Sequence, residues 1–75
     1  MDRDWVGDTK GLLRGEMARR RLSYKDLVEK LAAIGVSETE ANLRNKISRG
    51  GFTAVFLVQC LTAMGVHSLR LHDPD

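Results

Sequence analysis

The chain has 75 residues, enough for one small domain, and a hydrophobic fraction of 43% with 29% charged residues places it among folding globular sequences rather than disordered ones. A single cysteine, Cys60, allows no intrachain disulfide, and no Cys/His group has zinc-ligand spacing, so a reducing, cytoplasmic setting and a fold without metal or cofactor are expected. The longest apolar run, residues 54–58, is far shorter than the roughly 18 residues of a membrane span, which predicts neither insertion nor secretion.

The net charge of +2 hides an asymmetry, because residues 9–52 hold ten Lys/Arg against five acids while the two ends together are acidic. A core this small is marginal by itself, which makes dimerisation an expectation.

Residues 1–8 are acidic, and Trp5 with Val6 are expected to fold back onto the body as an apolar anchor. Over residues 9–21, Leu12, Leu13 and Met17 form a helical stripe that Gly11 and Gly15 weaken by about 1 kcal/mol each relative to alanine. Those glycines fit either a poor helix held by packing or the close approach of another helix. Ser23-Tyr24-Lys25-Asp26 is a capping-box start; Leu27, Val28, Leu31, Ala32 and Ile34 continue at helical spacing, and Gly35 is a left-handed stop. A second box, Ser37-Glu38-Thr39-Glu40, opens a polar helix whose large apolar residues are Leu43 and Ile47 and which ends at Gly50-Gly51. Thr53 caps a fourth helix over residues 54–64, so apolar that burial at the centre of the core is expected. In the tail, Leu69 and Leu71 alternate with Arg70 and His72, the pattern of irregular chain packing two leucines or of a short strand pairing with a second subunit. Residues 67–75 are therefore a candidate dimer arm, with Leu69 and Leu71 as its contacts.

Two capped helices joined by Gly35-Val36-Ser37 make a helix-turn-helix pattern. At about 100° per residue, Leu43 and Ile47 face inward and the opposite face presents Glu38, Ala41, Asn42, Asn45, Ser48 and Arg49, flanked by Arg44 and Lys46. Residues 41–52 contain no acid. Asn bonds adenine bidentately and Arg bonds guanine or phosphate, so this face suits the major groove of double-stranded DNA, with Glu38, Ala41, Asn42, Asn45 and Arg49 as base contacts. An ordinary solvated face would more often mix Glu with Lys. Glu38 and Glu40 oppose phosphate; Glu40 serves the cap, and Glu38 either accepts from a cytosine amino group or simply favours the helix dipole. Arg19-Arg20-Arg21 either cap the first helix or reach phosphate, with Lys25 beside them.

The order Leu13, Leu22-Ser23-Tyr24-x-x-Leu27-x-x-x-Leu31, Gly35-Val36-Ser37, Leu43-x-x-x-Ile47-x-x-Gly50 and Ala63-Met64-Gly65-Val66 resembles the Cro and phage-repressor helix-turn-helix family over residues 9–66. The segment from Asn42 through Leu43, Arg44, Asn45, Lys46, Ile47, Ser48 and Arg49 to Gly50, with Phe52, Phe56, Gln59 and Cys60, is also similar to a bacterial family known only as a domain of unknown function. The first resemblance implies a compact, all-α, lambda-repressor-like domain of four to five helices, dimeric on a pseudo-palindromic operator, with residues 37–49 in the major groove. It adds phosphate contacts at Arg19, Arg20, Arg21, Tyr24, Lys25, Arg44, Lys46 and Ser48. Tyr24 stands where many relatives carry a phosphate-binding Gln, and residues 36–43 run about two residues longer than the family pattern.

His67 and His72 are isolated and read as surface histidines, and Cys60, with no basic neighbour one turn away, reads as an inert packing residue. No phosphate-cradling loop, paired catalytic carboxylates or Ser/His/Asp order is visible, so a non-enzyme without a small-molecule substrate is expected. The competing function is a protein-protein interaction module of the same fold, acting as a regulatory adaptor. Single-stranded RNA binding ranks lower, since only Trp5 and Tyr24 offer stacking surfaces.

Overall fold

Each helix starts where a side-chain oxygen takes up a backbone N–H of its first turn: Asp4 accepts from Gly7, Ser23 from Asp26, Thr39 from Asn42 and Thr53 from Phe56. These caps open α1 (Trp5–Arg19), α2 (Tyr24–Ala33), α3 (Glu40–Arg49) and α4 (Ala54–Ala63) in a computed structural model that describes residues 3–71. The fold is all-α, with no strand among the described residues.

Three helices stop the same way. Gly35 and Gly65 adopt left-handed backbone at φ +83 and +77°, and their N–H groups and those of Val36 and Val66 turn back to carbonyls of the last turn. Arg21 fills the equivalent place after α1 at φ 54°, a conformation an L side chain adopts at a cost of about 1–2 kcal/mol.

The inward side chains come in pairs one turn apart: Leu13 and Met17, Leu27 and Leu31, Leu43 and Ile47, Phe56 and Cys60, with Met64 closing the cluster. α3 and α4 each pack on α1 and on α2, while their own backbones stay apart. They meet through side chains, the Lys46 ammonium lying 5.1 Å from the centre of the Phe56 ring.

Several expectations are corrected. α1 begins at Trp5 rather than residue 9, because Asp4 supplies a cap that the stripe of Leu12, Leu13 and Met17 did not reveal. The expected N-terminal anchor does not form as an apolar one: Trp5 is 66% exposed and stacks on Arg3, and Val6, though it lies against Gly50, is still 48% exposed. No other helix of the chain comes close at Gly11, where an added Cβ would meet nothing within 4 Å. The close approach is at Gly50 instead: a Cβ there would lie 2.7 Å from the Val6 carbonyl oxygen, on backbone at φ +71°. α3 starts at Glu40, not at Ser37, because the Thr39 hydroxyl holds the first turn, and residues 34–39 form a longer connection than Gly35-Val36-Ser37 alone.

α4 is not wholly buried. Phe56 and Cys60 face the core, but Val55 is 67% and Val58 59% exposed. A helix flanked on one side by two neighbours can hide only one stripe, however apolar its other positions are. The tail forms no strand among the described residues: Leu69 is half-buried beside Leu61 and Val66, and Leu71 is exposed along a separate groove with Leu12 of α1. Residues 72–75 of the expected dimer arm, His72 among them, lie outside the described residues.

Candidate nucleic-acid interface

α3 is anchored from beneath by Leu43 and Ile47, both fully buried. That registration sends Ala41, Asn42, Asn45, Ser48 and Arg49 outward, and all five are exposed. The Asn42 and Asn45 side-chain amides have no hydrogen-bond partner among the described residues, and Arg49 makes no ion pair there. A convex strip of amide and guanidinium groups thus stands open to solvent.

The two neighbouring acids do not reach that strip. Glu40 pairs with Arg44 at 2.9 Å, one turn along the flank, and the Arg44 guanidinium lies 5.4 Å from the centre of the Tyr24 ring. Glu38 does not join the outward face as expected: it precedes the cap, its side chain is largely buried, and its carboxylate pairs with the Lys46 ammonium over Phe56. One of the five residues expected to touch bases, Glu38, and one of those expected to touch phosphate, Lys46, are therefore engaged with each other.

The arginine cluster divides similarly. Glu16, nearly buried, receives hydrogen bonds from both Arg19 and Arg20, the latter at 2.6 Å. The Arg19 bond, assisted by Arg20, holds the Glu16 carboxyl below its usual range against the opposing effect of burial. Arg21 and Lys25 are exposed and make no ion pair among the described residues. Tyr24, half-buried, opens α2 beside Arg44 of α3, so Tyr24, Lys25 and Arg44 share one corner.

At the other end of α3 the structure adds two residues that sequence reasoning missed. Lys10 donates to the Ser48 carbonyl at 3.2 Å and Arg14 to the Ser48 hydroxyl at 3.4 Å. Both cations favour the negative end of the α3 dipole, and with Arg49 they surround the last turn with positive charge. Their spacing, one turn apart on α1, was a visible signal; that α1 delivers them to Ser48 depends on how the helices pack.

Elsewhere the chemistry is quiet. Cys60 is fully buried, and burial, with the Glu38 carboxylate adding to it and Lys46 opposing, pushes its thiol up to about 12. His67 is exposed in the tail, and among the described residues no three His, Cys, Asp or Glu are placed to hold a metal. No helix among them is long and apolar enough to cross a membrane.

A family model described as "Domain of unknown function (DUF6471)" matches residues 5–69, all four helices included. No curated protein and no solved structure matches the chain.

Proposed function

The chain belongs to the DUF6471 family, and from that premise and the chemistry of α3 we propose that it binds double-stranded DNA sequence-specifically, as a small transcription regulator. The observation that carries this reading is the acid-free outward strip of Ala41, Asn42, Asn45 and Arg49, with Glu38 and Glu40 both paired off to its flanks. Asn42 and Asn45 have amides of the type that reads adenine, and Arg49 a guanidinium of the type that reads guanine, all without a partner among the described residues. Arg21, Lys25, Arg44 and Ser48 take the phosphates on either side, joined by Lys10 and Arg14 at the C-terminal end of α3. The likeness to the Cro and phage-repressor family over residues 9–66 supports the same assignment, and in that assignment the protein works as a homodimer.

Selection of bound duplexes from a random pool at near-physiological salt tests this. The proposal expects enrichment of a defined sequence, an altered preference for Asn45→Ala, and, for Arg21→Ala, weaker binding to all duplexes with a salt slope smaller by about one. A pool that comes through unenriched overturns it.

The exposed Val55 and Val58 favour a second reading, a regulatory adaptor that contacts another protein. Salt separates the two: DNA affinity falls steeply between low and moderate salt, whereas a contact built on valines hardly responds.

A further inference from the structure

We infer that Glu38 is a positioning residue for the outward strip of α3, acting through Lys46: it pins the Lys46 ammonium over the Phe56 ring and so fixes how α3 sits beside α4. This role rests on the proposed DNA reading of α3 and is played without contact with the duplex.

α3 is held closely on two sides and thinly on a third. Lys10 and Arg14 of α1 donate to Ser48, and the Val6 carbonyl closes on Gly50. On the α2 side the Arg44 guanidinium lies over the Tyr24 ring. Toward α4 the backbones stay apart, and the apolar packing of Leu43 and Ile47 is non-directional. The directional contact there is Lys46 on Phe56. Lys46 has a flexible four-carbon stem and a side chain 45% exposed, so the ring by itself holds it weakly. Glu38 supplies the second hold. It lies just ahead of the Thr39 cap, where the chain enters α3, and its side chain is only 9% exposed. Its carboxylate also reaches Cys60 of α4 electrostatically, which puts it on the α4 side of the helix.

The two ion pairs of α3 therefore differ in kind. Glu40 and Arg44 are both about half-exposed, and such a pair opens at little cost to let Arg44 turn to a phosphate. Lys46 cannot leave Glu38 without stranding a largely buried carboxylate, so it is committed. Lys46 follows Asn45 directly and Asn42 by one turn, and bidentate contacts from those amides lose strength steeply when tilted.

Residual dipolar couplings of the free chain read the orientation of α3 against α4, and duplex selection reads the consequence. Glu38→Gln keeps the shape and removes the charge. It is expected to retain helical circular dichroism and to lose the upfield ring shift of the Lys46 methylenes. Its α3 couplings should no longer fit the wild-type orientation, while those of α1, α2 and α4 still do. The duplex enriched by the wild type should bind about tenfold more weakly, and unselected duplexes no more weakly than before. Lys46→Met, checked for folding in the same way, should leave the salt slope unchanged, because its ammonium is on Glu38 rather than on phosphate. An unmoved α3 in Glu38→Gln, a retained wild-type preference, or a salt slope smaller by about one in Lys46→Met overturns the inference. The couplings are measured without DNA: a reoriented α3 with no duplex enriched by the wild type would sink the DNA reading and leave the pin in place.

Discussion

α3 and α4 are built alike and present opposite faces. Both are ten residues long, both are capped by a threonine hydroxyl, and both bury two side chains one turn apart. Outside, α3 shows Asn42, Asn45 and Arg49, whereas α4 shows Val55, Val58 and Thr62. The inward pairs hold the bundle together, and what the molecule can contact is set by residues the core does not use. Total hydropathy therefore misleads in both directions: the polar α3 is as firmly anchored as the apolar α4.

The sharpest way to break that comparison is to truncate one residue from each side of it. Ile47→Ala, at a fully buried position, is expected to cost about 2–5 kcal/mol in urea unfolding. Val58→Ala, exposed, is expected to change stability by no more than about 0.5 kcal/mol. Equal losses would mean that the outer face of α4 is as much a part of the core as the inner face of α3. A smaller effect is expected at the seam that seats α3 on α1. Gly50→Ala puts a Cβ on left-handed backbone and against the Val6 carbonyl, and should lower stability by more than about 1 kcal/mol. Gly51→Ala, where a Cβ meets nothing within 4 Å, is the control.

The smallest expected effect concerns Arg19 and Arg20, which pair with Glu16. Because Arg19 and then Arg20 hold the Glu16 carboxyl below its ordinary 4.5, this group stabilises the fold fully above the ordinary carboxylate range. That contribution is lost as pH falls through the lowered folded value. Glu16→Gln should therefore unfold at lower urea than wild type at pH 7, with the two converging in acid. A gap that persists unchanged into acid would show that Glu16 acts by packing alone.

How much of this was legible in the sequence varied with the range of the interaction involved. α2 was readable from both ends, since the Ser23/Asp26 box and Gly35 act within one turn of the residues they cap. So was the outward strip of α3, which Leu43 and Ile47 determine by periodicity alone. The start of α3 was not, because Ser37 and Thr39 are both competent caps, and the one in use leaves Glu38 outside the helix, where it pairs with Lys46. The pairing of Arg19 and Arg20 had a local signal in Glu16, three and four residues earlier, that the run of arginines obscured. The one-turn spacing of Lys10 and Arg14 was visible too, but their place at Ser48 was not, because it follows from α1 packing on α3, thirty-odd residues away in the chain. α4 was misjudged for the same reason, since composition states how apolar a helix is and not how many neighbours it will have.

In the proposed function α3, and not α4, is the surface that meets DNA. An amide-resolved NMR titration of the full chain with the duplex that selection enriches tests it on both helices at once. Shifts and broadening concentrated at Asn42, Asn45, Ser48 and Arg49, with Val55, Val58 and Thr62 still at their free positions, are the predicted result. Perturbation centred on Val55 and Val58 while Asn42 and Asn45 remain unmoved would contradict it.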